Sequence, residues 1–188
     1  MGFKIIDNFL SDFDSLRNYC DQVNYNGVTN PADNVFYDGV TLDIPDAVQK
    51  EVIQNLTEVM GRKVTLNSIF MRLSKQFTPC PHQAHTDKLM GNFSLMLYLN
   101  RLEDCEGGTT LVIHKEGLIN STPINDKQFK VWERDVNTPD AWQITGISQM
   151  LPNRACIFDA NLMHRAEPIG GFGDSPQNAR LVLTAFYD

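Results

Sequence analysis

The chain has 188 residues, 42% of them apolar and 21% charged, a balance that fits one globular domain able to bury a core without disulfide or metal staples. Its formal net charge of −7 excludes a general nucleic-acid binder, which needs a basic footprint to displace counterions, and leaves any anion site to a few local cations. No apolar run approaches the length that spans a bilayer, so the expectation is a soluble, cytoplasmic protein without a membrane partner.

The opening residues MGFKIIDNFLSD place acids soon after a short apolar run and offer no small-residue cleavage site, unlike a signal peptide. Ile6 stands where a myristoylated chain carries Ser or Thr. FKIIDNFL predicts a first strand, and Ser11 or Asp12 is placed to cap a helix running to about Gln22. The stretch Asn24 to Asp43, rich in Asn, Asp and Gly, reads as loop with short extended pieces. Pro45 and Asp46 open a second helix, Val48, Val52, Ile53, Leu56 and Val59 form its apolar stripe, and Gly61 ends it.

After Gly61 the period shortens. KVTLNSIFMRL, NFSLMLYLN, GTTLVIH, KQFKVWE, WQITGISQML, RACIFDA and RLVLTAFYD are rich in β-branched and aromatic residues and separated by turn signals, so each predicts a strand. Two helices followed by this run predict an α+β, mainly β chain whose core is an antiparallel sandwich or jelly roll. No repeat or linker divides it: residues 1–62 form helical support for a sheet core over 63–188. The four cysteines (Cys20, Cys80, Cys105 and Cys156) show no CxxC pairing and read as reduced thiols. Cys105 lies in the acidic EDCEGG, which disfavours a thiolate.

Three segments carry chemistry. In His85-Thr86-Asp87, residues i and i+2 of an extended chain share a face, so an imidazole and a carboxylate can converge on one metal; the plain alternative is a solvated polar strand end. In FDANLMHRAEPI, His164 offers a second imidazole from a distant segment. Two His and one carboxylate on one face leave three positions open, as iron(II) needs for a chelating cosubstrate and dioxygen together, whereas taken alone His164 reads as a structural residue. Arg180 opens the last strand and shares a face with Thr184 and Phe186. A buried Arg beside a hydroxyl can clamp a carboxylate through its guanidinium fork, and the alternative is a surface Arg at a strand end. His82, in the turn CPHQ, reads as exposed, His114 as the end of a strand, and Arg165 points away from His164.

The order HTD, LYLN followed by EGGTTL, FDANLMHRAEPI and RLVLTAFYD resembles the prolyl 4-hydroxylase-like branch of the iron(II)- and 2-oxoglutarate-dependent oxygenases, over roughly Lys63 to Asp188. The resemblance implies a double-stranded β-helix with two flanking N-terminal helices. It implies iron(II) held by His85, Asp87 and His164, and the distal carboxylate of 2-oxoglutarate held by Arg180 with Tyr98 and Thr184 helping. Gly107 and Gly108 match the family's tight turn into the next core strand. The implied reaction spends dioxygen and 2-oxoglutarate, with ascorbate as supporting reductant, to hydroxylate a C–H bond. By resemblance the substrate is a prolyl residue of a peptide or protein. The alternatives are a free amino acid or other small metabolite, or, in a different class, a jelly-roll binding module without catalysis.

Three departures from the family pattern stand out. The loop RAEPIGGFGDSPQNA is long, Leu73 replaces a Tyr common near the cosubstrate, and the region from His114 to Met150 is extended and holds Trp132 and Trp142. Within it KQFKVWERD alternates apolar and polar residues, which predicts a hairpin arm. The two tryptophans are then either edge packing or part of a substrate lid.

Overall fold

The computed structural model describes residues 3–29 and 34–188 of the chain; residues 30–33 of the expected loop lie outside them. Strand β1 (Lys4–Ile6) is followed by helix α1 (Phe13–Cys20), whose cap is Asp12: its carboxylate accepts from the Ser15 amide at 3.3 Å. Three short strands, β2 (Val28–Thr29), β3 (Phe36–Tyr37) and β4 (Val40–Thr41), come next. Helix α2 (Asp46–Met60) stops at Gly61, which takes the left-handed conformation at φ 65°. Val52 and Leu56 are fully buried on its inner face. Ile53 stays 37% exposed, because one residue past Val52 turns the side chain about 100° off the stripe.

The remaining strands are β5 (Leu66–Ser74), β6 (Phe93–Tyr98), β7 (Gly108–His114), β8 (Trp142–Gln149), β9 (Ala155–Asp159), β10 (His164–Glu167) and β11 (Arg180–Tyr187). They build two antiparallel sheets, a larger one in the order β1-β9-β6-β11-β5-β4 and a smaller one in the order β10-β7-β8. Strand alternation decides what each face of the larger sheet carries. Leu181, Leu183, Ala185 and Tyr187 of β11, with Leu95 and Leu97 of β6 and Met71 and Leu73 of β5, pack against Leu16, Cys20, Val52 and Leu56 of the helices. Each fully buried leucine there contributes about 1.5–3 kcal/mol. The alternate residues Arg180, Val182, Thr184 and Phe186 therefore face the smaller sheet.

The two sheets are tied across the space between them. The Tyr98 hydroxyl donates to the Ser148 carbonyl at 2.8 Å, and Arg180 Nη2 donates to the Gly108 carbonyl at 3.4 Å. Gly107 and Gly108, both at positive φ, let β7 pass under its neighbours: a Cβ on Gly107 would meet the Glu167 carbonyl oxygen at 2.1 Å.

The expected strand KQFKVWE is instead the core of helix α3 (Asp126–Asp135). Asn125 caps it, accepting from the Gln128 amide at 3.0 Å, and Phe129 and Trp132, three apart, fall on one helical face with rings 5.6 Å apart. A hairpin arm needs a second strand and a sheet edge. A capped helix satisfies its own backbone and only needs a surface for one stripe, which Val131 and Trp132 find against Ala84, Val112, Ile119, Trp142 and Met163. Among the described residues, no helix is long and apolar enough to cross a membrane.

Candidate metal centre

The segment His85-Thr86-Asp87 is an extended stretch outside any named strand, held at both ends by main-chain bonds. His85 exchanges backbone bonds with His164, its amide to the His164 carbonyl at 3.1 Å and the return bond at 2.9 Å, while the Asp87 amide donates to Ala160 at 2.8 Å. His164 reaches this place because the chain turns after β9, Leu162 N–H donating to the Asp159 carbonyl at 2.9 Å. Both side chains of the extended segment then emerge on the side where His164 emerges from β10.

His164 Nε2 lies 3.3 Å from Asp87 Oδ2, and His85 Nε2 lies 3.7 Å from Asp87 Oδ1. The three side chains offer ligand atoms all within 4.8 Å of one another. Among the described residues this is the one cluster of three or more such groups close enough to share a metal ion. Supporting bonds orient it. His164 Nδ1 donates to the Leu162 carbonyl at 2.9 Å, which fixes the ring and turns the buried Nε2 toward Asp87. Ser94 Oγ donates to Asp87 Oδ2 at 2.9 Å.

The electrostatics match a cation site. Burial is the strongest influence on His85 and, with the nearby His164 charge, pushes its pKa down to about 4; 36% of the side chain remains open, so water at the mouth offsets part of that burial. Burial alone would raise Asp87, but His164, His85 and the Ser94 bond outweigh it and hold the carboxyl below its ordinary value. Burial alone would lower His164, and the Asp87 carboxylate reverses it, so this imidazole holds a proton more tightly than usual. A neutral imidazole, an ionised carboxylate and a second imidazole whose proton a metal can displace fit a divalent transition metal such as iron(II).

On the face of β11 turned toward the smaller sheet, Arg180 is 6% exposed, its Nε buried without a hydrogen-bond partner. Burial, reinforced by the charge of Arg72 and opposed by Tyr98, pushes its pKa down to about 10. The other two expected carboxylate contacts are engaged elsewhere. Tyr98 gives its proton to Ser148, and the Thr184 hydroxyl points at Met96 Sδ at 3.4 Å, a weak bond that a better acceptor can replace. His82 is exposed with its ring 5.8 Å from Trp132, and Arg165 pairs with Glu167 at 2.7 Å, away from the metal cluster.

Residues 3–187 match the model of a family described as a family of unknown function, DUF6445. The chain belongs to the DUF6445 family. No curated protein matches its sequence. Several solved structures share its fold. The non-heme alpha ketoglutarate dependent epimerase SnoN from nogalamycin biosynthesis superposes with a TM-score of 0.61 at 12% identity, over 99% of this chain and 76% of that one. EctD from S. alaskensis, solved with 2-oxoglutarate and 5-hydroxyectoine, gives 0.57 at 13% identity, over 100% and 72%. EvdO2 from Micromonospora carbonacea var. aurantiaca, complexed with 2-oxoglutarate, gives 0.57 at 16% identity, over 100% and 86%. At such identities the likeness is one of fold.

Sequence reasoning missed two parts of the DUF6445 site and did not place a third, Arg72, on its strand face. Ser94 was legible in principle: the alternation that turns Tyr98 inward along FSLMLY turns Ser94 inward as well. The bond from Trp132 Nε1 to the Ala84 carbonyl at 3.0 Å steadies the residue before His85, and nothing in the sequence links segments so far apart. Arg72, next to Leu73 in β5, leaves the sheet on the face that carries Arg180, because Leu73 itself points into the helix-covered core.

Proposed function

We propose that this DUF6445 chain is an iron(II)- and 2-oxoglutarate-dependent oxygenase that oxidises a C–H bond of a small molecule. The observation that carries the reading is the cluster of His85, Asp87 and His164, close enough to share one metal ion, together with a buried arginine, Arg180, whose Nε has no hydrogen-bond partner. In this reading the two sheets are the halves of a double-stranded β-helix, and the chain works as one domain in which residues 1–62 brace the sheet core.

Iron and 2-oxoglutarate, when bound, would supply the oxidation, with release of succinate and carbon dioxide. The chain's own work is holding and shielding. His85, Asp87 and His164 hold the metal on one face and leave the others to ligands, while Ser94 and the Leu162 carbonyl fix the orientation of Asp87 and His164. Arg180 anchors the far carboxylate of the cosubstrate, with the Thr184 hydroxyl able to turn toward it. Phe158, whose ring centroid is 4.7 Å from that of His164, together with Val182 and Phe186, keeps water from the inner wall.

The prolyl peptide expected from the motif order gives way here to a small-molecule substrate. That choice is supported by two of the similar folds, EctD solved with 5-hydroxyectoine and SnoN solved with nogalamycin RO. The test is succinate formation by the purified protein with iron, ascorbate and 2-oxoglutarate, followed by mass spectrometry of a metabolite panel for gain of one oxygen atom. Absence of both 2-oxoglutarate binding and iron-dependent succinate formation would mean a binding module instead.

A further inference from the structure

Arg72 lies opposite Val182 in the β5–β11 register, so it leaves the larger sheet on the face that carries Arg180, Val182 and Thr184. Its flanking residues Met71 and Leu73 go the other way, into the core under the helices. The guanidinium carbon sits 5.5 Å from the centroid of the Tyr37 ring, and Nε is buried without a hydrogen-bond partner.

Among the described residues, five of the chain's arginines are each paired with an acid, and Arg72 is not. Arg17 and Arg101 pair with Asp21, Arg134 with Asp135, Arg154 with Asp7 and Arg165 with Glu167. Among the described residues no carboxylate pairs with Arg72 or Arg180, and Arg62 is exposed at the surface. Arg72, opposite Val182, and Arg180, opposite Ser74, are diagonal neighbours on one face of the larger sheet. An acidic chain of net charge −7 that keeps two cations on one inner sheet face free of its own carboxylates leaves room for two anionic groups from outside. A dicarboxylate cosubstrate fills only one of these places: one end goes to the metal and the other to Arg180.

We infer that the primary substrate of this site is a small carboxylic acid whose carboxylate is held by Arg72, with the Tyr37 ring behind the guanidinium. A single planar fork suits a carboxylate; a phosphate dianion in the same place would call for a second cation, and Arg180 already has a partner in the cosubstrate. This inference rests on the oxygenase reading above. It makes Arg72 a determinant of substrate choice rather than of metal or cosubstrate binding.

The experiment uses full-length protein loaded with iron, in three variants: Arg72→Gln, Arg72→Lys and Arg180→Gln. Calorimetric titration of 2-oxoglutarate without oxygen should show its affinity falling about tenfold or more in Arg180→Gln and staying within about twofold of wild type in Arg72→Gln. Succinate formation is then followed with pairs of small acids and their primary amides. Acids should stimulate and their amides should not, and the KM of a stimulating acid should rise about tenfold or more in Arg72→Gln, with Arg72→Lys in between. Direct binding of that acid, followed by ligand-observed NMR, should weaken in parallel. Stimulation by amides as strong as by acids, no stimulation by any acid, or an unchanged KM in Arg72→Gln each overturns the inference. Loss of 2-oxoglutarate affinity in Arg72→Gln equal to that in Arg180→Gln overturns it too, and makes Arg72 a second cosubstrate anchor. A wild-type protein that binds no 2-oxoglutarate sinks the oxygenase reading itself, a result distinct from all of these.

Discussion

The backbones of His85 and His164 bond to each other in both directions, at 3.1 and 2.9 Å, while their rings stand 4.5 Å apart between centroids. Two imidazoles from distant segments are thus positioned by main-chain pairing, before any metal arrives. Replacing either side chain leaves that pairing in place. His85→Ala and Asp87→Ala should therefore keep the wild-type circular dichroism spectrum and lose stoichiometric iron binding and succinate formation. His82→Ala, at an exposed position, should keep both. A His85→Ala protein that still binds iron with wild-type stoichiometry would refute the site.

Ser94 holds Asp87 at one oxygen, so Ser94→Ala frees the carboxylate to rotate. Groups that orient a metal ligand are typically worth about 10- to 100-fold in metal affinity, and that loss is expected here. Competition against a chelator of known affinity measures it. The bond itself contributes only about 0.5–1.5 kcal/mol to folding, so the unfolding midpoint should move little.

Metal loading should depend on pH through His164. Its pKa is raised above the ordinary 6.5 by Asp87, so the stabilisation from this pair in the metal-free protein is present at low pH and is lost as pH rises through the raised value. A metal must expel that proton. Apparent iron affinity should fall about tenfold per unit as pH drops below the raised His164 value and level off above it. His85, pushed down to about 4, carries no proton in that range and adds no second step. Affinity independent of pH between about 5 and 8 would show that His164 is not a ligand.

Arg180→Gln and Tyr98→Phe should behave differently. A charge-assisted bond in a buried place is worth about 1.5–3 kcal/mol, so loss of the Arg180 guanidinium should weaken 2-oxoglutarate about 10- to 100-fold. The Tyr98 hydroxyl is already given to Ser148, so Tyr98→Phe should cost about 1 kcal/mol of stability and leave cosubstrate affinity nearly unchanged. Titration calorimetry and thermal melts separate the two effects.

Helix α3 should act as structure for the metal loop. His114 is buried and takes part in three contacts: its Nε2 meets Asp135 at 2.8 Å, while Nδ1 accepts the amides of Glu116 and Gly117. His114→Ala leaves those amides without a partner, while Asp135 keeps Arg134, and should destabilise by about 1–3 kcal/mol, measurable by denaturant melts. Trp142 is buried with its Nε1 bonded to the Asp135 carbonyl at 2.8 Å. Removal of residues 126–135 should lower iron affinity and stability together, because Trp132 steadies Ala84 beside His85. A free lid would instead leave iron affinity and substrate-free decarboxylation intact.

The sequence by itself determined whatever depends on local period and residue type. The α2 stripe, the sheet strands and the inward alternation of Arg180, Val182 and Thr184 were all legible, since each is written into neighbouring residues. The triad could be named because histidine is scarce and His85 and Asp87 lie two residues apart. KQFKVWE misled because seven residues suit a strand period and a helical one alike, and only the docking of Trp132 onto Ala84 decides between them. Tertiary structure alone decided the rest: the return bond between His85 and His164, the grip of Ser94 on Asp87, and the placing of Arg72 beside Arg180 with no acid to pair it. Those relations come from sheet register between segments far apart in the chain, and no local pattern encodes which strand will lie beside which.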